Sequence, residues 1–586
     1  MNIPPFAFEQ ALSVRTDLSV YNDNALMLFA LQMHLDATDI HAIASEALTD
    51  GRDDKKLDLV YVDRAAGKII IAQGYNSQDR SKESAKGNKA ADLNTGLSWL
   101  LSRNIDDLPD QIKDAAENVR SALNANEINS FMIWYVHNLP QHENIQNELK
   151  TVECTAFDLI KTNFPNAQID IISAMEVGRD RIEEWYKNQD SAIKISANFT
   201  VDAIQGYETK GSDWKAFATT ISGAWLKEIY SKHPSDLFSA NVRGYMGSRK
   251  KDQKINFDIQ ESASNNPRDF WVFNNGITAI VHDYEAPSDD NPQLIIKGIC
   301  IANGAQTTGP ISTIKDLSDD LRIPIRFIAC SNQAKVKNII TYNNRQNQIL
   351  ASDFRSNDAI QTRLRQEFTN DHKDVSYFGG RRDYDFTKSK TPELPTDTCA
   401  QALAAVHLKP WLAYHGKSKI WEDNDTYNSL FNEDTTASHI LFAMSLLRAV
   451  EKYKLDLVEK SKVSDLSEKD SKTLSFMRKR GSIYLLASAI SRVLETVSEK
   501  KVANRFKLQF AKINDFDSAV NFWTPIIASL AALNSKLDGA LRDSLTNTDR
   551  VNSCLEDFNA YLSDLMSVGS QSNTTYLPIA QEIKFS

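Results

Sequence analysis

Two stretches of the chain combine side chains that could do chemistry. In the first, Asp58 lies inside the apolar run Leu57-Asp58-Leu59-Val60-Tyr61-Val62, and Gln73 follows 15 residues later in the β-rich run Lys68 to Tyr75. Glu46 precedes Asp58 by 12 residues on an expected helix. Carboxylate and amide oxygens are hard donors of the kind that hold Mg²⁺ during phosphodiester cleavage, a reaction that also uses a lysine to steady developing charge. Side chains alternate along a strand with period two. An Asp on one strand and a Gln or Glu two residues before a Lys on its partner therefore share one face of the sheet. Here the residue two beyond Gln73 is Tyr75; Lys82, Lys86 and Lys89 follow on an expected helix from which an ammonium could come. A capped strand end and a polar edge residue account for Asp58 and Gln73 as well.

In the second stretch amides, hydroxyls and guanidinium groups gather. Phe270-Trp271-Val272-Phe273-Asn274-Asn275-Gly276-Ile277 sets Asn274 and Asn275 before a glycine between two expected strands, at 270–274 and 277–283, the pattern of a type I′ hairpin turn. Residues 293–302 read as a strand, followed by Asn303-Gly304-Ala305-Gln306-Thr307-Thr308 and a helix. A helix entered through a glycine turn directs free N–H groups at one spot and favours an anion there by roughly 0.3–1 kcal/mol per charge. Simple capping by Thr307 or Thr308 is the alternative. No Walker lysine follows, so an ordinary P-loop is excluded. The run Thr341 to Gln348 packs five amides and a guanidinium into eight residues, among them Asn344, Arg345 and Gln346. Asn disfavours helix interiors, so this run is expected to end a helix and bond a base, a phosphate or loop backbone. Arg243 sits in Asn241-Val242-Arg243-Gly244, and Gly379-Gly380 presents Arg381 and Arg382.

Charge supports the second stretch. The 586 residues carry a net charge of −10, which excludes a uniformly basic nucleic-acid binder. Between Leu321 and Lys390, however, thirteen Lys and Arg stand against seven Asp and Glu. Five cysteines (Cys154, Cys300, Cys330, Cys399, Cys554) form no CxxC pair, so neither a zinc ribbon nor a disulfide framework is expected, and any metal falls to carboxylates. No secretory signal opens the sequence and no apolar stretch approaches the roughly 20 residues of a membrane span, so a cytoplasmic protein without a membrane partner is expected.

The elements that must position these residues divide the chain into three. Residues 1–190 read as an α/β domain: a helix over 23–47, a two-strand hairpin, helices at 84–102 and 108–125, a strand at 128–137, a helix at 142–163 and a strand at 168–172. Residues 195–430 read as a mixed α+β domain, with helices at 213–231, 305–317, 334–344 and 357–370 and strands at 270–274, 277–283, 293–302 and 323–330. From about 395 onward the chain reads almost wholly as helices, at 396–414, 437–457, 467–497, 515–534 and 547–566, and residues 431–586 form an all-α domain by this reading.

The layout Glu46, Asp58, Gln73 resembles the PD-(D/E)xK nuclease core, with Tyr75 in place of its lysine. That resemblance implies a restriction-endonuclease-like fold, Mg²⁺ held by Asp58 and Glu46, and Asp58, Gln73, Glu46 and Lys82 as the catalytic set. Four ordered motifs, Asn241 to Gly244 after Phe238, Phe270-Trp271 with Asn274 to Thr278, Asn303 to Thr308, and Asn344 to Asn347, resemble the abortive infection phage resistance (AIPR) family. A looser similarity extends to DGQHR and ParB-like domains, which handle nucleotides or DNA. The family resemblance implies antiphage defence set off by a phage-encoded trigger. Three functions stay open: a metal-dependent nuclease acting on DNA or RNA, a nucleotide-binding or nucleotide-hydrolysing sensor with an inert N-terminal domain, and a non-enzymatic module that binds a phage component. A homo-oligomer is compatible with each.

Overall fold

A computed structural model describes residues 5–586 except 36, 50, 65, 170, 188–192, 194, 202–204, 234–236, 239–251, 289–291, 315, 345–354, 356–357, 378–392, 569–572 and 586. The chain divides into two compact units. One comprises Met1–Ala37, Lys55–Leu108 and Ala115–Ile349; the other comprises Thr38–Asp54, Pro109–Asp114 and Leu350–Ser586.

The first unit holds two sheets. In the N-terminal one, β1 (Leu59–Asp63), β2 (Lys68–Tyr75), β3 (Ser130–His137) and β4 (Ile171–Val177) lie in sequence order, β1 antiparallel to β2 and the others parallel. The β1–β2 hairpin closes where Asp63 Oδ1 accepts the N–H of Ala66 at 2.8 Å and Gly67 adopts a φ of +65°. Every residue of β3 is buried, as expected of a central parallel strand covered on both faces. On one face Trp134 packs against His34 of the helix Ala25–Leu35 and against Trp185, at ring separations of 4.8 and 5.6 Å. On the other, the Tyr135 hydroxyl donates to the carbonyl of Lys86, which caps the helix Gly87–Leu101. The helix expected over 23–47 is two, Ala25–Leu35 and Ile40–Ala47. Asp39 breaks it, because its carboxylate accepts from the N–H groups of His41 and Ala42 and so starts a new helix.

The second sheet contains β5 (Ile195–Val201), β6 (Tyr207–Lys210), β7 (Trp214–Ser222), β8 (Ile277–Val281), β9 (Asp283–Glu285), β10 (Leu294–Asn303) and β11 (Arg322–Cys330). Its order is β5-β10-β8-β11-β7-β6, with β9 on β10, and the β8–β11 pair is parallel. Two sequence expectations fail here. Residues 213–231 form strand β7 and then the helix Gly223–Lys232. Trp214, Phe217, Thr219, Thr220 and Ile221 suit a pleated surface, and the Ser222 hydroxyl accepts from Trp225 N–H to begin the helix. Residues Phe270–Phe273 are a single helical turn rather than a strand, so Asn274-Asn275-Gly276 is no hairpin turn. Instead Asn274 Oδ1 accepts the N–H of Gly276 at 2.9 Å, a side-chain turn into β8.

The second unit is helical. Its core joins Thr396–Val406, Ala437–Val463, Ser482–Ser498, Phe516–Leu530 and Thr548–Val568 around Phe442, Phe510 and Trp523. The helix expected over 467–497 is interrupted by Gly481, whose φ of +76° starts a second helix. The segment Phe516–Lys536 is long and apolar enough to cross a membrane by length and composition; here Phe516, Ala519, Val520, Trp523, Ile526, Ile527 and Leu530 are buried in the helical core. Segment Thr38–Asp54 joins this unit through Asp39, whose Oδ2 accepts from Thr398 Oγ1 at 2.5 Å and from Arg448, while Arg448 also pairs with Glu451 at 2.6 Å. Both carboxylates are buried, and the half-buried Arg448 guanidinium helps hold the Asp39 carboxyl down at about 2 against the opposing effect of burial.

Candidate functional site

Two polar clusters stand at strand ends of the first unit. The first lies at the carboxyl ends of the parallel strands β2, β3 and β4, where open α/β sheets place ligands. The ladder pairs Gln73 with Tyr135, Tyr135 with Glu176, and Tyr75 with His137, so these five side chains share one face. His137 Nδ1 accepts the N–H of Leu139 at 3.3 Å, which leaves the ring proton on Nε2 to donate to Glu176 Oε1 at 3.0 Å. Both Glu176 oxygens also accept the N–H of His142 at 3.1 Å. Both members of this pair are buried, and both Glu176 oxygens have donors. Tyr135 titrates well above its usual range, chiefly through burial and then through Tyr75 and Glu176.

Asp58 meets this sheet in the bend just before β1. The register runs from Leu59 opposite Ala72 to Asp63 opposite Lys68, and Asp58 N–H donates to Ala72 O at 3.0 Å. Asp58 Oδ2 accepts the N–H of Gly74 at 2.7 Å, so the carboxylate meets β2 at its main chain between Gln73 and Tyr75. Gln73 is 3% exposed, and its Oε1 has no hydrogen-bond partner. The ammonium groups of Lys86 and Lys89 lie 5.6 and 5.7 Å from the ring centre of Tyr75, which stands where a lysine was sought. Lys82 is exposed in the loop before that helix. Glu46 is exposed on Ile40–Ala47 and belongs to the helical unit, where its charge acts on Lys454. Burial pushes that lysine down to about 8, and Glu46 works in the opposite direction.

Among the described residues no three His, Cys, Asp or Glu side chains gather to hold a metal. Asp58 and Gln73 do supply two hard oxygen donors, one of them the orphaned amide oxygen.

The second cluster forms where β8 begins and β10 ends. Thr278 on β8 pairs with Asn303 on β10 and with Arg326 on β11. Arg326 Nη2 donates to Thr278 Oγ1 at 2.7 Å and to Asn343 Oδ1 at 3.0 Å. Asn303 Nδ2 donates to Asn343 O at 2.5 Å, and Asn343 Nδ2 to Ile339 O at 2.8 Å, fixing the last turn of the helix Gln333–Asn344. Thr307 Oγ1 donates to Asn274 Oδ1 at 3.2 Å, and the Thr308 hydroxyl is spent on Gly304 O at 2.9 Å. Gly304 has a φ of +112°, and a Cβ there would lie 2.7 Å from Ile277 Cγ1; only glycine lets β10 turn this closely into the helix Ala305–Thr313. Gln306 is the second residue of that helix, and Asn344 ends the helix Gln333–Asn344. Asn275 is exposed. Arg243, Arg345, Gln346, Arg381 and Arg382 lie outside the described residues.

The structure therefore bonds Asn274 to Thr307 and Asn303 to Asn343, all within the expected motifs, as is Thr278, and adds Arg326, which the sequence did not single out. Arg326 carried a legible signal: with Arg322 it is one of two cations in the otherwise apolar run Arg322-Ile323-Pro324-Ile325-Arg326-Phe327. It is exposed and, among the described residues, pairs with no carboxylate. His137 and Glu176 left no comparable trace.

Comparison with known proteins adds one match. The family described as AIPR protein matches residues 238–573, more than half of the chain, including the whole second cluster. No curated protein and no solved structure matches the chain. On this match, the chain belongs to the AIPR family.

Proposed function

We propose that this chain serves abortive-infection defence by binding a phosphate-bearing ligand, a nucleotide or nucleic acid, at the second cluster. The observation that carries this reading is the Arg326 guanidinium, exposed, steadied by two neutral oxygens and uncompensated by a carboxylate among the described residues. A guanidinium presents several donors in a rigid fork suited to phosphate oxygens. The start of the helix Ala305–Thr313, uncapped by any side chain of Gly304, adds N–H dipoles at the same strand ends. Titration calorimetry with ATP and with a short DNA strand tests it. Binding should weaken at least ten-fold in Arg326→Ala and should fall steeply with salt. No binding of any phosphate-bearing probe would sink the reading.

A second reading, a Mg²⁺-dependent nuclease in the N-terminal sheet, is favoured by the orphaned Gln73 Oε1 and by the Asp58 carboxylate on the main chain of the next residue, Gly74. Asp58 and Gln73 would hold the ion, which when bound supplies Lewis-acid activation of a phosphodiester. Lys86 and Lys89 bring positive charge over Tyr75. Purified protein with Mg²⁺ should then cut DNA or RNA, and Asp58→Ala should abolish cutting. Cleavage undiminished in that variant would discard it.

A further inference from the structure

The residues just before Asn274 carry a feature that phosphate binding leaves unused. In the turn Phe270–Phe273 only Phe270 is buried; Trp271, Val272 and Phe273 are 51%, 67% and 65% exposed. Three consecutive large apolar side chains in water are costly, since each would gain roughly 1.5–3 kcal/mol on full burial. Phe273 is joined directly to Asn274, whose Oδ1 receives Thr307, and the chain runs on from there into β8, where Thr278 accepts from Arg326.

We infer that Trp271 and Phe273 form a stacking platform for the bases of a single-stranded nucleic acid whose backbone runs over Arg326. The inference rests on the phosphate reading of the second cluster and names its substrate class. An exposed ring beside an uncompensated cation matches both halves of a nucleotide, the π-face of the base and the charge of the phosphate. Two rings on one protruding turn suit successive bases of a strand. A mononucleotide site would be expected to enclose its ligand, whereas these rings stand open. A second copy of the chain is a poorer occupant. A four-residue turn offers a small fraction of the roughly 800 Å² per partner that a stable interface buries.

Fluorescence anisotropy separates the possibilities, using a labelled thymidine oligomer, an abasic oligomer of the same length as competitor, ATP and inorganic triphosphate. Trp271→Ala and Phe273→Ala should each weaken the thymidine oligomer by roughly ten-fold and leave the abasic oligomer and triphosphate unchanged. Trp271→Phe should restore most of the loss. Arg326→Ala should weaken all four probes. If both ring variants bind the thymidine oligomer like the parent while Arg326→Ala does not, the platform is overturned and the phosphate reading stands. If the ring variants weaken the oligomer but Arg326→Ala changes nothing, the platform stands and the phosphate reading falls. Tighter binding of ATP than of the oligomer would overturn the assignment to a single strand.

Discussion

The two clusters of the first unit use similar side chains to opposite ends. On the N-terminal sheet the strongest polar groups are closed: His137 and Glu176 are buried, each accounts for the other, and His142 N–H completes the carboxylate. On the second sheet Arg326 is equally well held, by Thr278 and Asn343, but its charge faces water without a counter-ion among the described residues. A polar group whose partners are all internal is worth most to stability. One that is positioned yet uncompensated is available to a ligand. Gln73 is the exception within the closed cluster, since its Oε1 is buried and unsatisfied, and that is why the nuclease reading stays attached to this residue.

The sharpest way to break the comparison is Glu176→Ala. It strands the Nε2–H of His137 and the N–H of His142 in a buried site, and a loss of about 3 kcal/mol is expected in urea unfolding. Glu176→Gln keeps an acceptor and should cost clearly less. Neither should alter binding at Arg326. A loss below 1 kcal/mol for the alanine variant would mean the cluster is open after all.

A smaller effect, about 2 kcal/mol, is expected for Gly276→Ala, and it probes the frame of the open cluster. Gly276 has a φ of +75°, and a Cβ would come within 2.6 Å of Pro324 O. Because Asn274 turns onto Gly276, ligand binding should weaken together with stability. Full retention of both would show that the turn into β8 does not position Asn274.

The closed arrangement recurs in the helical unit, where it predicts a pH dependence. His407 Nε2 lies 3.0 Å from His439 Nε2, and His439 Nδ1 donates to Leu508 O at 2.8 Å. Burial lowers His439 to about 4, and burial with the neighbouring His439 lowers His407 further below its usual value. Arg505 and Lys409 also face His407 and act in the same direction. The unfolded rings take up protons near pH 6.5 and the folded His439 only near 4. Stability is thus full above 6.5 and falls as pH drops between the two. One such ring should cost about 1 kcal/mol by about pH 5.5. Urea midpoints measured across this range should lose part of their slope in His439→Phe.

What was legible in the sequence divides along the same line. The β1–β2 hairpin and β3 were readable because Ile69-Ile70-Ile71 and the run Ser130 to His137 are apolar and β-rich over strand length. Asn274, Asn303 and Thr307 were readable because amides beside glycine mark turns. The seat of Asp58 on the main chain of Gly74 was not, because it depends on which N–H of the partner strand a carboxylate finds. The His137–Glu176 pair joins residues 39 apart through the parallel register of β3 and β4, which no local pattern encodes. Residues 213–222 were misread because an alternating, partly buried strand running straight into a helix blurs the two periods. Arg326 is one of two arginines in an otherwise apolar strand, and its meaning appears only when β11 sets it beside Thr278.

The smallest predicted change in stability is the most discriminating. Arg326→Ala removes an exposed side chain whose acceptors, Thr278 Oγ1 and Asn343 Oδ1, still have each other at 3.2 Å. Unfolding free energy should shift by no more than about 0.5 kcal/mol. Binding of a phosphate-bearing probe should fall by at least ten-fold, because a positioned charge is lost from a surface that belongs to an acidic chain. Arg326→Lys tests whether charge alone suffices. An ammonium retains the charge but lacks the planar fork, and so should recover the salt dependence with only part of the affinity. If Arg326→Ala instead destabilised the fold as much as Glu176→Ala, the guanidinium would be a structural tie, and the distinction between the closed and open clusters would vanish.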